Sequence, residues 1–246
     1  MAKPFTTTAK YYDVLSDNET RLKREGPFLK EMLSQAPGLR AIDMACGTGL
    51  HAEFFAGLGA QVNAFDINSE MIHHARKHHA HRSISYHTGD MRTLSGGPWD
   101  IAICLGNSLS VLATPEDIDL TFRAVYSSLS PGGIFVLQIL NYRAVSAQKP
   151  RHRIERKKVG ESEVIAVKNL VPHGDRTFLS LAFYHVRKDD YESLAETAVL
   201  TNRTCDEIVS AAEDAGFTVE GVYGGYDRSA YSPDESTDVI CVNRKG

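Results

Sequence analysis

The 246-residue chain has four cysteines, Cys46, Cys104, Cys205 and Cys241, and none of them forms a C-x-x-C pair. That spacing excludes a cysteine-built zinc site and a disulfide framework, and it fits a reducing interior. Long hydrophobic runs are missing too. No stretch approaches the roughly 18 apolar residues of a membrane-crossing helix, and the start, MAKPFTTTAKYYD, has no apolar secretion core. A cytoplasmic, soluble protein is expected. Charge of one sign is also lacking, since 27 Lys and Arg face 31 Asp and Glu for a net of −4. Without a basic field, nucleic acid is an unfavoured partner and small molecules are the better class of ligand. Low-complexity segments and internal repeats are absent, and 42% hydrophobic with 24% charged residues is a globular composition.

What is present begins with rhythm. From residue 38 to 140, short apolar runs alternate with amphipathic segments, which is the pattern of strand-helix repeats in a parallel sheet. LRAIDMA, AQVNAFD, SISYHTGD, WDIAICLG and GIFVLQIL read as the five strands. A helix capped by Asn68 or Ser69 runs to about Ala80, and Thr114-Pro115-Glu116-Asp117 opens another that stops at Leu129. Residues 151–201 then show period-two segments separated by Gly160, His173-Gly174-Asp175 and Asp189-Asp190, as antiparallel hairpins do. Thr204 to Glu207 has capping-box spacing before a helix ending at Gly216, and FTVEGVY and TDVICVN close the chain as a strand pair.

The loop AIDMACGTGLHA, residues 41–52, carries the chemistry. Gly47, Gly49 and Ala52 spell the dinucleotide fingerprint G-x-G-x-x-A, which lets backbone approach a ligand. Asp66 follows where an acid can receive ribose hydroxyls, but that position is shared by several nucleotide-binding classes. Asp43 at the end of strand one would face a dinucleotide's pyrophosphate unfavourably, yet suits a cationic ligand. Asp90 after strand three can accept from an adenine amine, with Met91 beside the ring.

On these residues the segment 38–142 resembles the class I S-adenosylmethionine-dependent methyltransferases, through D-x-A-C-G-T-G, FDINSEMI, GDM and WDIAICLGNS in order. AICLGNS, SPGGIFVLQILNY and AYSPDESTDVICVNRK are similar to the glycine and sarcosine N-methyltransferases and their bacterial relatives. The resemblance implies an α/β, doubly wound, Rossmann-like seven-stranded sheet with its last strand antiparallel, and a small antiparallel β insertion as a substrate lid. It divides the chain into an N-terminal cofactor-covering segment (1–36), a core (37–142 and 202–246) and the insertion (143–201). The implied cofactor is S-adenosyl-L-methionine. Its implied contacts are Tyr11 or Tyr12, Arg21 on the carboxylate, Asp43, Ala45, Gly47, Asp66 with Ile67, Asp90, Met91 and Leu105. Leu140 and Val111 depart from the pattern, where glycine N-methyltransferases carry an arginine and a histidine, so glycine is not the expected acceptor.

Methyl transfer is an in-line displacement that needs alignment rather than a covalent catalyst. Asn107, with Ser108 behind it, is the candidate for orienting an incoming amine, and a polar turn is its plainer role. Arg153, Tyr142, Tyr184, His185 and Tyr226 are candidate walls of the acceptor site. Arg153 lies in RHRIERKK, which also reads as a solvated edge strand. The cluster HHARKHHAH reads as a solvated helix face rather than a metal site, and Cys46 as a packed residue. The expected activity is N-methylation of a small-molecule amine. The alternatives are O- or C-methylation with His185 or His87 as base, a cofactor-binding regulator without turnover, an NAD-dependent oxidoreductase and, as a minor branch, RNA methylation. Homo-oligomerisation stays open.

Overall fold

The apolar runs of the first half become parallel strands of one sheet, and the connections after the first, second and fourth of them carry helices. In this computed structural model residues 8–94, 96–146 and 150–246 are described, so the first seven residues of the expected N-terminal segment and three of the insertion lie outside them. After α1 (Tyr12–Ser16) and α2 (Asn18–Gln35), the chain runs β1 (Arg40–Met44), α3 (Leu50–Gly57), β2 (Gln61–Asp66), α4 (Ser69–His78) and β3 (Ile84–Thr88). It continues with β4 (Trp99–Cys104), α5 (Pro115–Ser128), β5 (Leu129–Leu140) and α6 (Tyr142–Ser146). Asn68 caps α4 by accepting from the Glu70 amide, and Thr114 caps α5 by accepting from the Asp117 amide.

The second half holds β6 (Arg151–Val159), β7 (Ser162–His173), β8 (Arg176–Val186), β9 (Tyr191–Thr201), α7 (Cys205–Asp214), β10 (Phe217–Tyr223) and β11 (Asp238–Lys245). The large sheet has seven strands in the order β10-β11-β5-β4-β1-β2-β3, with β11 antiparallel to both neighbours. Strand order therefore reverses between β1 and β4, which opens a crevice at their carboxyl ends. Thr204 and Glu207 complete the capping box of α7.

Helices α2, α3 and α4 cover one face of the sheet, where Phe28, Met32, Phe55 and Ile72 pack on Ile101, Ile103 and Val136. On the other face Phe122, Ile208 and Phe217 pack on Ile42, Met44, Phe135 and Leu137. Alternate residues of β1 go to opposite faces, Ala41 to the first and Ile42 to the second. One boundary differs from expectation. β5 begins at Leu129, which pairs with Trp99, so Ser130 to Gly133 lie inside the strand, and the register shifts between Trp99 and Ile101. Gly132, with φ of +74°, takes up that break.

Strands β6 to β9 form a separate four-stranded antiparallel meander. One of its faces is buried in two patches. Val164, Ala166, Leu181 and Phe183 pack on Leu15 of α1 with Tyr11, Tyr12 and Val14, while Leu170 and Leu179 pack against Tyr142, Val145 and Leu200. Fully buried side chains such as Phe183 contribute about 1.5–3 kcal/mol each. The small sheet is thus fastened to the N-terminal segment on one side and to the segment after β5 on the other.

Candidate functional site

At the carboxyl end of β1 the backbone turns sharply, with positive φ at Ala45 (57°), Gly47 (55°) and Gly49 (96°). At Gly49 a Cβ would fall 2.5 Å from the Tyr86 hydroxyl, so only glycine fits. At Gly47 a Cβ would meet nothing within 4 Å, which leaves open space beside the backbone. The Gly47 amide donates to Asp66 Oδ2 (2.9 Å) and the Asn68 amide to Oδ1 (2.8 Å), so the turn is tied to the end of β2. Burial raises the Asp66 pKa against these two hydrogen bonds. Each of its oxygens keeps a second lone pair for a ligand hydroxyl. Ile67, next along, is exposed beside it.

Asp43 is 2% exposed, and its Oδ2 has no hydrogen-bond partner among the described residues. Burial pushes its carboxyl up to about 8, against the pull of the nearby Arg21 charge. Arg21 enters from α2. Its Nε donates to both oxygens of Glu25 (3.0 and 3.2 Å), and a Cβ on Gly106 would lie 3.3 Å from its Nη2, so the guanidinium reaches the end of β4. Glu25 also meets His51 Nε2 at 2.7 Å and Arg24 Nη2 at 2.9 Å. Burial alone would raise the Glu25 pKa, but the His51 hydrogen bond and the Arg21 charge outweigh it and hold the carboxyl at about 2.

Both tyrosines pack against the small sheet, but Tyr12 also lies within electrostatic reach of Arg21 and Asp66. The Tyr11 hydroxyl contacts His185 Nδ1 at 2.9 Å. Of the two aromatic candidates, Tyr12 is therefore the one at the loop. Leu105 is buried at the end of β4, and Tyr226 is buried against Phe28 with its hydroxyl unpartnered among the described residues, in the field of Glu25 and Arg21. Tyr12, Arg21, Asp43, Ala45, Gly47, Asp66, Leu105 and Tyr226 thus converge on the β1–β4 crevice. Asp90 and Met91 follow β3. The Asp90 carboxylate receives Arg92 Nε (3.0 Å) and the Arg92 amide (2.9 Å), and Arg92 also pairs with Asp117 at 2.6 Å.

Several acceptor-site candidates sit differently from expectation. Asn107, with φ of +69°, accepts the Leu140 amide (2.8 Å) and the Ser110 hydroxyl (3.0 Å) on Oδ1, and its Nδ2 donates to the Tyr142 hydroxyl (2.6 Å). Both lone pairs of the amide oxygen are used, so Asn107 does not accept from an incoming amine; it holds Tyr142 in place. Ser108 is turned back to the Leu105 carbonyl. Tyr184 is 40% exposed on the face of the small sheet opposite Phe183, away from the crevice, because neighbours along a strand point to opposite sides. His185 has both ring nitrogens engaged, by Tyr11 and by the Ser162 hydroxyl (2.8 Å), and His87 stacks on Phe65 at the sheet edge. Arg153 lies on the edge strand β6, half-exposed and paired with Glu155 at 2.5 Å, but on the same face of the small sheet as Leu181 and Phe183.

Sequence reasoning missed two clusters. The Arg21–Glu25–His51 chain joins residues 26 positions apart, and only the i,i+4 spacing of Arg21 and Glu25 hinted at it. The second cluster fastens α1 to the loop. Asp13 accepts the Thr48 hydroxyl (2.6 Å) and faces His79 (3.6 Å) and His74 (3.8 Å) of the histidine run. His79 also meets Glu53 at 2.6 Å, and these two acids, working against burial, raise its pKa to about 8. The run is therefore not a wholly solvated face; His73 and His78 are exposed, while His74 and His79 turn inward.

Known proteins resemble this chain in sequence or in fold. The family profile described as a methyltransferase domain matches residues 41–133. A glycine/sarcosine N-methyltransferase of Halorhodospira halochloris is 32% identical over 142 residues, covering 54% of this chain and 52% of the relative. A dTDP-4-amino-2,3,4,6-tetradeoxy-D-glucose N,N-dimethyltransferase of Saccharopolyspora spinosa is 25% identical over 74% of this chain and 73% of the relative. Apart from the latter, the chain spans about half the length, or less, of the curated relatives it matches. Among solved structures, an S-adenosylmethionine-dependent methyltransferase from Clostridium acetobutylicum superposes with a TM-score of 0.81 at 17% identity, over 98% of this chain and 99% of the other.

Proposed function

We propose, from the premise that this chain carries a methyltransferase domain in the S-adenosylmethionine-dependent methyltransferase fold, that it methylates an amine nitrogen of a small molecule. One observation carries the cofactor half of this reading. At the mouth of the crevice a buried, unpartnered Asp43 oxygen and the Arg21 guanidinium lie within each other's field, which is the complement of an α-amino acid zwitterion. Asp43 would take the ammonium and Arg21 the carboxylate. Asp66 would take the ribose hydroxyls, with the open backbone at Gly47 beside them and Ile67 and Met91 along the adenine. When bound, S-adenosylmethionine supplies an electrophilic methyl on a positively charged sulfur.

The chain's own contribution is alignment and exclusion of water. Leu105 and Tyr142 would flank the path of the reacting nitrogen, with Asn107 fixing Tyr142, and the small sheet would act as the lid of the acceptor site. The two histidines that could serve as base for O- or C-methylation are engaged or remote, which favours an amine, whose nitrogen brings its own lone pair. Two relatives named as N-methyltransferases support the same choice.

Incubation with methyl-labelled S-adenosylmethionine and a metabolite extract, followed by mass spectrometry, tests the reading. Label on a nitrogen is the expected result. Label on oxygen or carbon overturns the choice of acceptor atom, and cofactor binding without any labelled product favours a regulator.

A further inference from the structure

Lys168 has no part in the arrangement so far. It lies on β7 directly opposite Arg153 of β6 and Leu181 of β8. Opposed residues of an antiparallel pair share a face, so Lys168 is on the buried face of the small sheet. On that face Ala166 belongs to the patch under α1, and Leu170 to the patch against Tyr142 and Val145. Lys168 is the residue of β7 between them. Between those two fastenings Lys168 lies within electrostatic reach of Arg21, whose guanidinium approaches Gly106 after β4.

The surroundings do not suit a free cation. Lys168 is half-buried, and burial lowers its pKa, with further repulsion from Arg153 and Arg21. Those two arginines have their own counter-charges, Glu155 and Glu25. Among the described residues no carboxylate or other acceptor pairs with the Lys168 ammonium. A half-buried cation beside two others is costly unless something negative joins it.

We infer that Lys168 is the anion-recognising residue of the acceptor site, donating from its ammonium to a carboxylate or phosphate oxygen carried by the methyl acceptor. The acceptor is then an anionic amine: its acid group is held on β7 and its nitrogen is turned toward the end of β4. Lysine suits this task because a compact charge on a flexible stem meets either acid group without a fixed approach. Naming the ligand as the acceptor rests on the methyl-transfer reading; the anion site does not.

The test uses the full chain saturated with S-adenosylhomocysteine, titrated calorimetrically with inorganic pyrophosphate in one arm and succinate in the other. The expected result is one-to-one binding of one anion, whose identity tells phosphate from carboxylate. Lys168→Met should weaken it by about tenfold or more, as loss of a charge-assisted hydrogen bond does, and Lys168→Arg should retain it. S-adenosylhomocysteine affinity should change less than about twofold, since no cofactor contact is removed. In the wild-type protein the bound anion should also protect Lys168 from acetic anhydride, read by peptide mass mapping, which does not depend on any variant folding. Binding of neither anion, undiminished binding to Lys168→Met, or a tenfold loss of S-adenosylhomocysteine affinity in that variant would overturn the assignment. If wild type fails to bind S-adenosylhomocysteine at all, methyl transfer fails as a reading, while the anion titration repeated without it still decides the role of Lys168.

Discussion

Asp43 and Asp66, at the ends of β1 and β2, are enclosed acids with set neighbours, whereas Arg153, Arg156, Lys157 and Lys158 on β6 stand in solvent along a free edge. The two sheets therefore use charge in opposite ways. In the seven-stranded sheet an enclosed acid can fix backbone, as Asp66 does for the Gly47 and Asn68 amides, and its loss leaves unpaired groups in a poor solvent. In the small sheet most charge keeps an edge strand soluble and unpaired, where single charges are worth little. Lys168 is the exception, a cation carried by the small sheet on its buried face and within reach of the Arg21 charge. A scaffold of the first kind suits an invariant ligand, and one of the second kind leaves room to vary an acceptor.

The contrast breaks most visibly at Glu25. Glu25→Gln removes the anion between Arg21 and His51 and should cost about 3–5 kcal/mol in urea unfolding, the range for splitting a buried ion pair. Because the folded Glu25 pKa lies below its ordinary 4.5, at about 2, its contribution is present above pH 4.5 and is lost as pH falls toward 2. The wild type should show a stability loss in that acid window that Glu25→Gln lacks. Asp66→Ala comes next. It strips the acceptor from the Gly47 and Asn68 amides and should cost about 1–3 kcal/mol, with at least a tenfold loss of cofactor affinity by calorimetry.

The Asp13 latch is smaller. Asp13→Asn should cost about 0.5–1 kcal/mol and speed hydrogen exchange across residues 8–16. The raised His79 pKa means that its share is complete below its ordinary 6.5 and is lost as pH rises through about 8. Exchange in α1 should therefore quicken between those values in wild type and less so in the variant. Arg153→Ala sits at the bottom, within about 0.5 kcal/mol of wild type in thermal unfolding. A cost above 2 kcal/mol there would erase the contrast between the sheets.

The contrast also marks what sequence could reveal. The parallel strands, the capped starts of α4, α5 and α7, and the hairpin turns were readable because each is a local signal. So was the placing of Asp43, Gly47 and Asp66 at strand ends, since the motif spacing carries it. Register-dependent facts were not. Tyr184 and His185 differ by one position yet lie on opposite faces, and only the β7–β8 pairing decides which face is covered. Asn107 looked like a free amide because two of its three partners, Leu140 and Tyr142, are more than 30 residues away in sequence. Glu25–His51 and Asp13–His79 stayed hidden for the same reason: an acid and a histidine on separate segments leave no spacing to read.

The most direct measurement is calorimetric titration of S-adenosylhomocysteine into the wild-type protein at pH 7, in buffers of different ionisation enthalpy. Asp43, with its carboxyl pushed up to about 8, is mostly protonated at that pH, and an ammonium placed beside it should drive the proton off. The account predicts one-to-one binding with release of close to one proton, and no such release in Asp43→Asn. Absence of binding, or tight binding of NADH in its place, would contradict it.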